Sequence, residues 1–225
     1  MSTSDQDPIV QSLQPYTSCD CSDALLKLKV VHGGFLSGPS MWSPKRQEGN
    51  TKIVGPAYTV KYALLNDPAP KVAKHYIDEI PKGSVIFISS PPNLPNAVYG
   101  GLMSNRAKES GAVGTVVDGR IRDLNEHREI GMPVFARDVG TASPYELVKV
   151  VGINVPVKLQ SEHQDMTINP GDYIVADLDG VVVIPHELAE TVIPLMKRQV
   201  EADAKVLGAI RDGMRFTEAS EKFRV

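Results

Sequence analysis

Four consecutive apolar residues, Val85-Ile86-Phe87-Ile88, limit what this chain can fold into more than any other stretch. Pro81-Lys82-Gly83 makes a turn before them, and Ser90 to Pro95, with three prolines, makes a loop after them. A strand without polar alternation has no face to show to water, so both faces need cover. That requirement points to an α/β architecture. Val113 to Val117 and Val134-Phe135-Ala136 read as further buried strands. Lys52 to Lys61 alternates weakly around Gly55-Pro56 and predicts a strand broken by a turn or bulge. Tyr173 to Ala176 and Val181 to Ile184 flank Asp177-Leu178-Asp179-Gly180, a hairpin signal.

Helices are expected in five places, including a short one after Glu126 that runs to Ile130 and stops at Gly131. One follows caps at Thr17, Ser18 and Asp20. Another runs from Pro68 to about Ile80. A third opens at Asn96 or a neighbour, carries Ala97, Val98, Leu102, Met103 and Ala107 on its apolar side, and closes at Gly111. The last spans His186 to Arg211, kinked at Pro194. Leu36 to Thr51, rich in Gly, Pro, Ser and Lys, reads as one long loop. The expected organisation is a flexible arm over 1–16, a single domain over 17–211 and a polar tail over 212–225.

A length of 225 residues suits one sizeable core and is short for two. The net charge of -3 and pI near 6.0 give no electrostatic case for nucleic acid or an anionic membrane. No apolar run reaches transmembrane length, and the first twenty residues lack the pattern of a signal peptide, so a cytoplasmic location is expected. Cys19 and Cys21 read as reduced thiols, too few for a thiolate zinc site. The five histidines are scattered, and G-x-S-x-G, Walker A and G-x-G-x-x-G patterns are absent.

The charged turn Arg120 to Glu126 stands out in apolar surroundings. Asp123 and Glu126 admit two readings. At N-cap and N3 they would form a capping box. On one helix face they would also offer hard oxygen ligands to Mg²⁺ or Mn²⁺, leaving water positions open. Arg122 is either a surface ion pair worth ~0–1 kcal/mol or a bidentate clamp for a carboxylate. Arg120 reads as a solvated charge. Gly100-Gly101-Leu102-Met103 is either a tight packing site or a helix start whose free N–H groups receive an anionic substrate.

Three stretches together resemble the RraA-like family: Asn96 to Met103, Gly114 to Asp123 and Pro133 to Arg137. Asn169 to Asp172 and Ala176 to Pro185 are similar to that family's second signature. The family includes the regulator of ribonuclease activity A and the class II 4-hydroxy-4-methyl-2-oxoglutarate aldolases. The resemblance implies a layered α/β/β sandwich like the swivelling phosphohistidine domain. It also implies a homotrimer or hexamer with active sites between subunits. By motif position, Arg122 matches the arginine that holds a pyruvyl group and Asp123 the carboxylate that anchors a divalent metal. Gly100, Gly101, Leu102 and Met103 match the backbone that meets substrate. Aldolase members carry aspartate where this chain has Gly101. The family's other pattern pairs that glycine with an acid three residues after the aspartate, which Glu126 supplies. The implied activity is a metal-dependent lyase on 2-oxo acids, decarboxylating oxaloacetate or cleaving 4-hydroxy-4-methyl-2-oxoglutarate through a pyruvate enolate. The alternative is a non-catalytic regulator that binds a ribonuclease or RNA helicase.

Overall fold

The computed structural model describes residues 7–224. The strands are β1 (Phe35–Leu36), β2 (Ser40–Ser43), β3 (Ile53–Leu64), β4 (Val85–Ser89), β5 (Ala97–Tyr99), β6 (Gly114–Ile121), β7 (Val134–Val139), β8 (Val148–Ile153), β9 (Val157–Lys158), β10 (Thr167–Ile168), β11 (Tyr173–Asp177) and β12 (Gly180–Ile184). The helices are α1 (Pro8–Leu13), α2 (Ser18–Lys27), α3 (Gly101–Glu109), α4 (Leu124–Glu129), α5 (Ala189–Arg211) and α6 (Phe216–Phe223).

The main sheet runs β1-β12-β11-β3-β4-β6-β7-β2, with β5 beside β6 and β8 beside β3. Its centre, β3-β4-β6-β7, is parallel. The flanks are antiparallel. Strand β3 joins the two halves. Its residues 53–56 pair with β11, 57–61 with β4 and 60–64 with β8. Gly55-Pro56 therefore does not break the strand, contrary to the sequence expectation; it marks where β3 changes partner.

The run in β4 is covered on both faces, as its sequence requires. Val85 and Phe87 face a core shared with Ile174, Ala176, Val181 and Val183 of the β11–β12 hairpin. Ile86 and Ile88 face a second core with Tyr76, Ala107 and Met132. A third core sets α1, α2 and α5 against the outer side of β11 and β12. The α/β/β layering is thus extended by α3 and α4 on the opposite face.

Several expectations are corrected. Within the 1–16 arm, residues 8–13 form α1, because Asp7 caps Ile9 and Val10 and because Val10 and Leu13 are buried; residues 1–6 lie outside the described part. The polar tail contains α6, anchored by buried Ala219. Leu36 to Thr51 is not one loop: β2 pairs with β7, and Met41 and Trp42 are buried. Pro68 to Ile80 has only a short 3-10 turn, Tyr76–Asp78. The Val72 N–H there is used across the chain, on Val150 O. Ala97 and Val98 belong to β5, parallel to β6, so the helix starts at Gly101 rather than near Asn96.

Candidate functional site

Strand β5 ends at Tyr99 and α3 begins at Gly101, with Gly100 extended between them. Strand β6 ends at Ile121, and Arg122-Asp123 lead into α4. Because β5 and β6 are parallel neighbours, both strand ends open on the same side. Three contacts clip the two segments together. Arg122 N donates to Tyr99 O at 3.0 Å. Gly101 N donates to Asp123 Oδ2 at 3.1 Å. Arg122 Nε stands 3.4 Å from that same oxygen.

The capping-box reading of Asp123 is not what forms. Asp123 holds the N-cap position of α4, yet its side chain caps nothing in that helix. It sits in the left-handed region (φ 61, ψ 44), a conformation that costs a non-glycine residue about 1–3 kcal/mol and is found where a site demands it. That backbone turns the carboxylate away from its own helix and onto α3.

Glu126 stands one turn further along α4. A methyl group built on Gly101 would overlap its carboxylate, standing 2.5 Å from Cδ and 2.8 Å from Cβ. A methyl group on Gly100 would stand 2.6 Å from Asp123 Oδ2. The glycine pair is therefore needed for space: each member lies against one of the two carboxylates. Gly101 and Glu126 exclude one another's alternatives, because an acid at 101 would occupy the volume that Glu126 fills.

The free-N–H reading of 100–103 is narrowed by the same geometry. Gly101 N is taken by Asp123, and Met103 N by Gly100 O at 3.0 Å. Among the described residues, Leu102 N has no acceptor. Leu102 is exposed and lines the cavity described next.

Arg122, Asp123, Glu126, Gly100, Leu102 and Met103 line one cavity of about 590 Å³, a size typical of small-molecule sites. Its other wall comes from the 65–76 loop and β8, including Lys71, His75 and Lys149. Arg120 is not part of it: its guanidinium pairs with Asp138 and donates to Val139 O at 2.8 Å.

The support beneath the site centres on His127, which is fully buried. Its Nδ1 lies 2.7 Å from Ser104 Oγ, and its ring stacks on Tyr99 at 5.7 Å. Tyr99 OH is 3.0 Å from Thr115 Oγ1. Burial lowers the His127 pKa, against the upward pull of Arg122 O and Asp123. This chain of contacts locks α3, α4 and β6 into one unit. A lone histidine in a charged segment gives no signal of such a role.

Among the described residues, no three His, Cys, Asp or Glu side chains converge as a ready metal cage. Asp123 and Glu126 still form a fitting donor set for a hard cation. They are two carboxylates on one helix turn, both open to the cavity, and such an ion keeps several waters.

The RraA-like family (Aldolase/RraA) matches residues 18–183. The chain belongs to that family. Within it, this RraA-like chain is 33% identical over 214 residues to a Halalkalibacterium halodurans protein named "Putative 4-hydroxy-4-methyl-2-oxoglutarate aldolase", covering 95% of this chain and 93% of that one. It is 32% identical over 217 residues to "Protein DlpA" of Legionella pneumophila, covering 96% of this chain but only 34% of that longer protein. A crystal structure of an uncharacterized Pseudomonas syringae protein matches with a TM-score of 0.80 at 29% identity, over 94% of this chain and 96% of the other. Among the described residues, no helix is long and apolar enough to cross a membrane.

Proposed function

We propose that this chain is a divalent-metal-dependent lyase for 2-oxo acids, producing pyruvate from oxaloacetate, from 4-hydroxy-4-methyl-2-oxoglutarate, or from both. The observation that carries the reading is the meeting of Arg122, Asp123, Glu126 and the start of α3 on one cavity wall. The family membership and the aldolase name of a relative support it.

Asp123 and Glu126 would hold Mg²⁺ or Mn²⁺ through carboxylate oxygens, with water completing the shell. When bound, such an ion acts as a Lewis acid toward the substrate's keto oxygen. Arg122 stays charged at any working pH and pairs with the pyruvyl end of the substrate. Gly100 lets the backbone at the cavity wall approach closely, Gly101 leaves room for Glu126, and Leu102 N–H is the donor left for the same group. In decarboxylation the C3–C4 bond breaks, CO₂ leaves, and the electron pair moves to C3 and the keto oxygen. In aldol cleavage the C4 hydroxyl gives its proton to solvent and becomes the keto group of a second pyruvate, while the same bond breaks toward C3. Both routes leave the enolate of pyruvate, which then takes a proton at C3. Arg122 and Leu102 N–H stabilise its oxyanion; such donors contribute about 2.7–4 kcal/mol each. Decarboxylation asks for no strong base, which fits a site with glycine at 101.

We propose further that the enzyme works as a homotrimer or hexamer whose neighbouring subunit borders this cavity. Exposed Leu65, Leu102 and Tyr145 at its edge favour such cover. The test is a panel of 2-oxo acids with Mg²⁺ or Mn²⁺, followed by pyruvate release. Turnover of oxaloacetate or the 4-hydroxy diacid is the expected result; none with any member would refute the assignment.

A further inference from the structure

The wall opposite Arg122 is built rather than loose. Leu65 N donates to Leu147 O and Val72 N to Val150 O, each at 2.9 Å, so the 65–76 loop runs pinned along β8. Lys149 Nζ reaches back from β8 to Asp67 O at 2.7 Å. That bond is to a neutral carbonyl, and Lys149 forms no ion pair among the described residues. Lys74 is matched by Glu79. Lys71 makes no hydrogen bond or ion pair among the described residues. The cavity's acids are Asp123 and Glu126, both on the Arg122 side. One end of the chamber thus carries the two carboxylates and Arg122, and the other carries two unmatched ammonium groups.

We propose that Lys71 and Lys149 form a second anion subsite, which makes the site selective for 2-oxo acids bearing a distal carboxylate or phosphate. This rests on the lyase reading above, which assigns the pyruvyl end to Arg122. Two lysines on a pinned loop and strand act as point charges, and point charges take either group. A substrate with one anionic end would satisfy Arg122 and leave this wall unpaired.

The test is calorimetric binding, with Mg²⁺ present, of three ligands of equal length: 2-oxopentanoate, 2-oxoglutarate and 4-phosphono-2-oxobutanoate. The wild type should bind one or both of the doubly anionic ligands roughly tenfold or more tighter than 2-oxopentanoate, as a charge-assisted pair implies. The tighter of the two identifies the distal group. In the Lys71→Gln/Lys149→Gln double variant that preference should shrink to within about threefold, and Lys71→Arg/Lys149→Arg should restore it. A folded Gln variant that keeps the full preference, or a wild type that has none, overturns the subsite. Arg122→Ala separates the two readings. It should weaken all three ligands; if it weakens none, the lyase reading fails whatever the lysines do.

Discussion

Replacing Gly101 with alanine should destabilise this protein, although the same change at an unhindered helix position stabilises. Gly101 opens α3 and is not held in the left-handed region, so alanine carries no backbone penalty. Lower unfolded-state entropy alone would give a gain of about 0.4–1 kcal/mol. Against it stands the added methyl group, 2.8 Å from Glu126 Cβ and 2.5 Å from Cδ. The carboxylate can swing aside, but Cβ is fixed to α4, so the two helices must part. Overpacking of this kind costs about 1–3 kcal/mol. The expected sum is a loss of up to about 2.5 kcal/mol. Replacing Glu126 with glycine removes both the Cβ and the Cδ that the new methyl group meets, so Gly101→Ala should cost much less in that background. Urea denaturation of the wild type, both single variants and the double variant gives the coupling through midpoints at constant m-value. We expect a coupling of about 1–2 kcal/mol. Additive effects, or a Gly101→Ala protein more stable than wild type, would refute the packing of Glu126 on Gly101. The same logic predicts that aspartate at 101 is accepted better once Glu126 is shortened.

Other outcomes follow from individual contacts. Arg122→Ala and Asp123→Ala should each remove most lyase activity while circular dichroism stays native; two fully active variants would discard the site. Asp118 is fully buried, pairs with Arg137 Nε at 2.5 Å and accepts Gln160 N at 2.6 Å. Asp118→Ala leaves that partly exposed guanidinium and Gln160 N without their acceptor and should cost about 1.5–3 kcal/mol in a denaturation midpoint. Burial pushes the Cys21 thiol up to about 12, whereas Cys19 is exposed. Iodoacetamide at pH 8 should therefore label Cys19 well before Cys21, read by peptide mass.

Much of this was legible in the sequence because it is local or strongly patterned. The apolar run 85–88 requires two covers and has them. The Asp177–Gly180 turn forces a hairpin, and Asp177 and Gly180 are opposite one another in it. Thr17 and Asp20 form the expected cap of α2. The errors fall where tertiary partners override local pattern. Ala97-Val98-Tyr99 could sit in a helix or a strand, and β6 beside it decides for strand. Pro68 to Ile80 has helical spacing, yet its Val72 N–H goes to Val150 of β8 instead. Asp123 stands where a cap would stand, and only a left-handed backbone, invisible in the sequence, turns it toward Gly101. His127 and Lys149 gave no signal, because burial and cavity lining are set by residues distant in the chain.

The central claim is that a divalent ion, Arg122 and the opening of α3 act on one 2-oxo acid. It is tested most directly by following pyruvate release from oxaloacetate in protein stripped with EDTA, before and after Mg²⁺ or Mn²⁺ is restored. The account predicts turnover that vanishes with the chelator and returns with the metal, and that does not return in Asp123→Ala. Turnover indifferent to EDTA, or equal in Asp123→Ala, would contradict it.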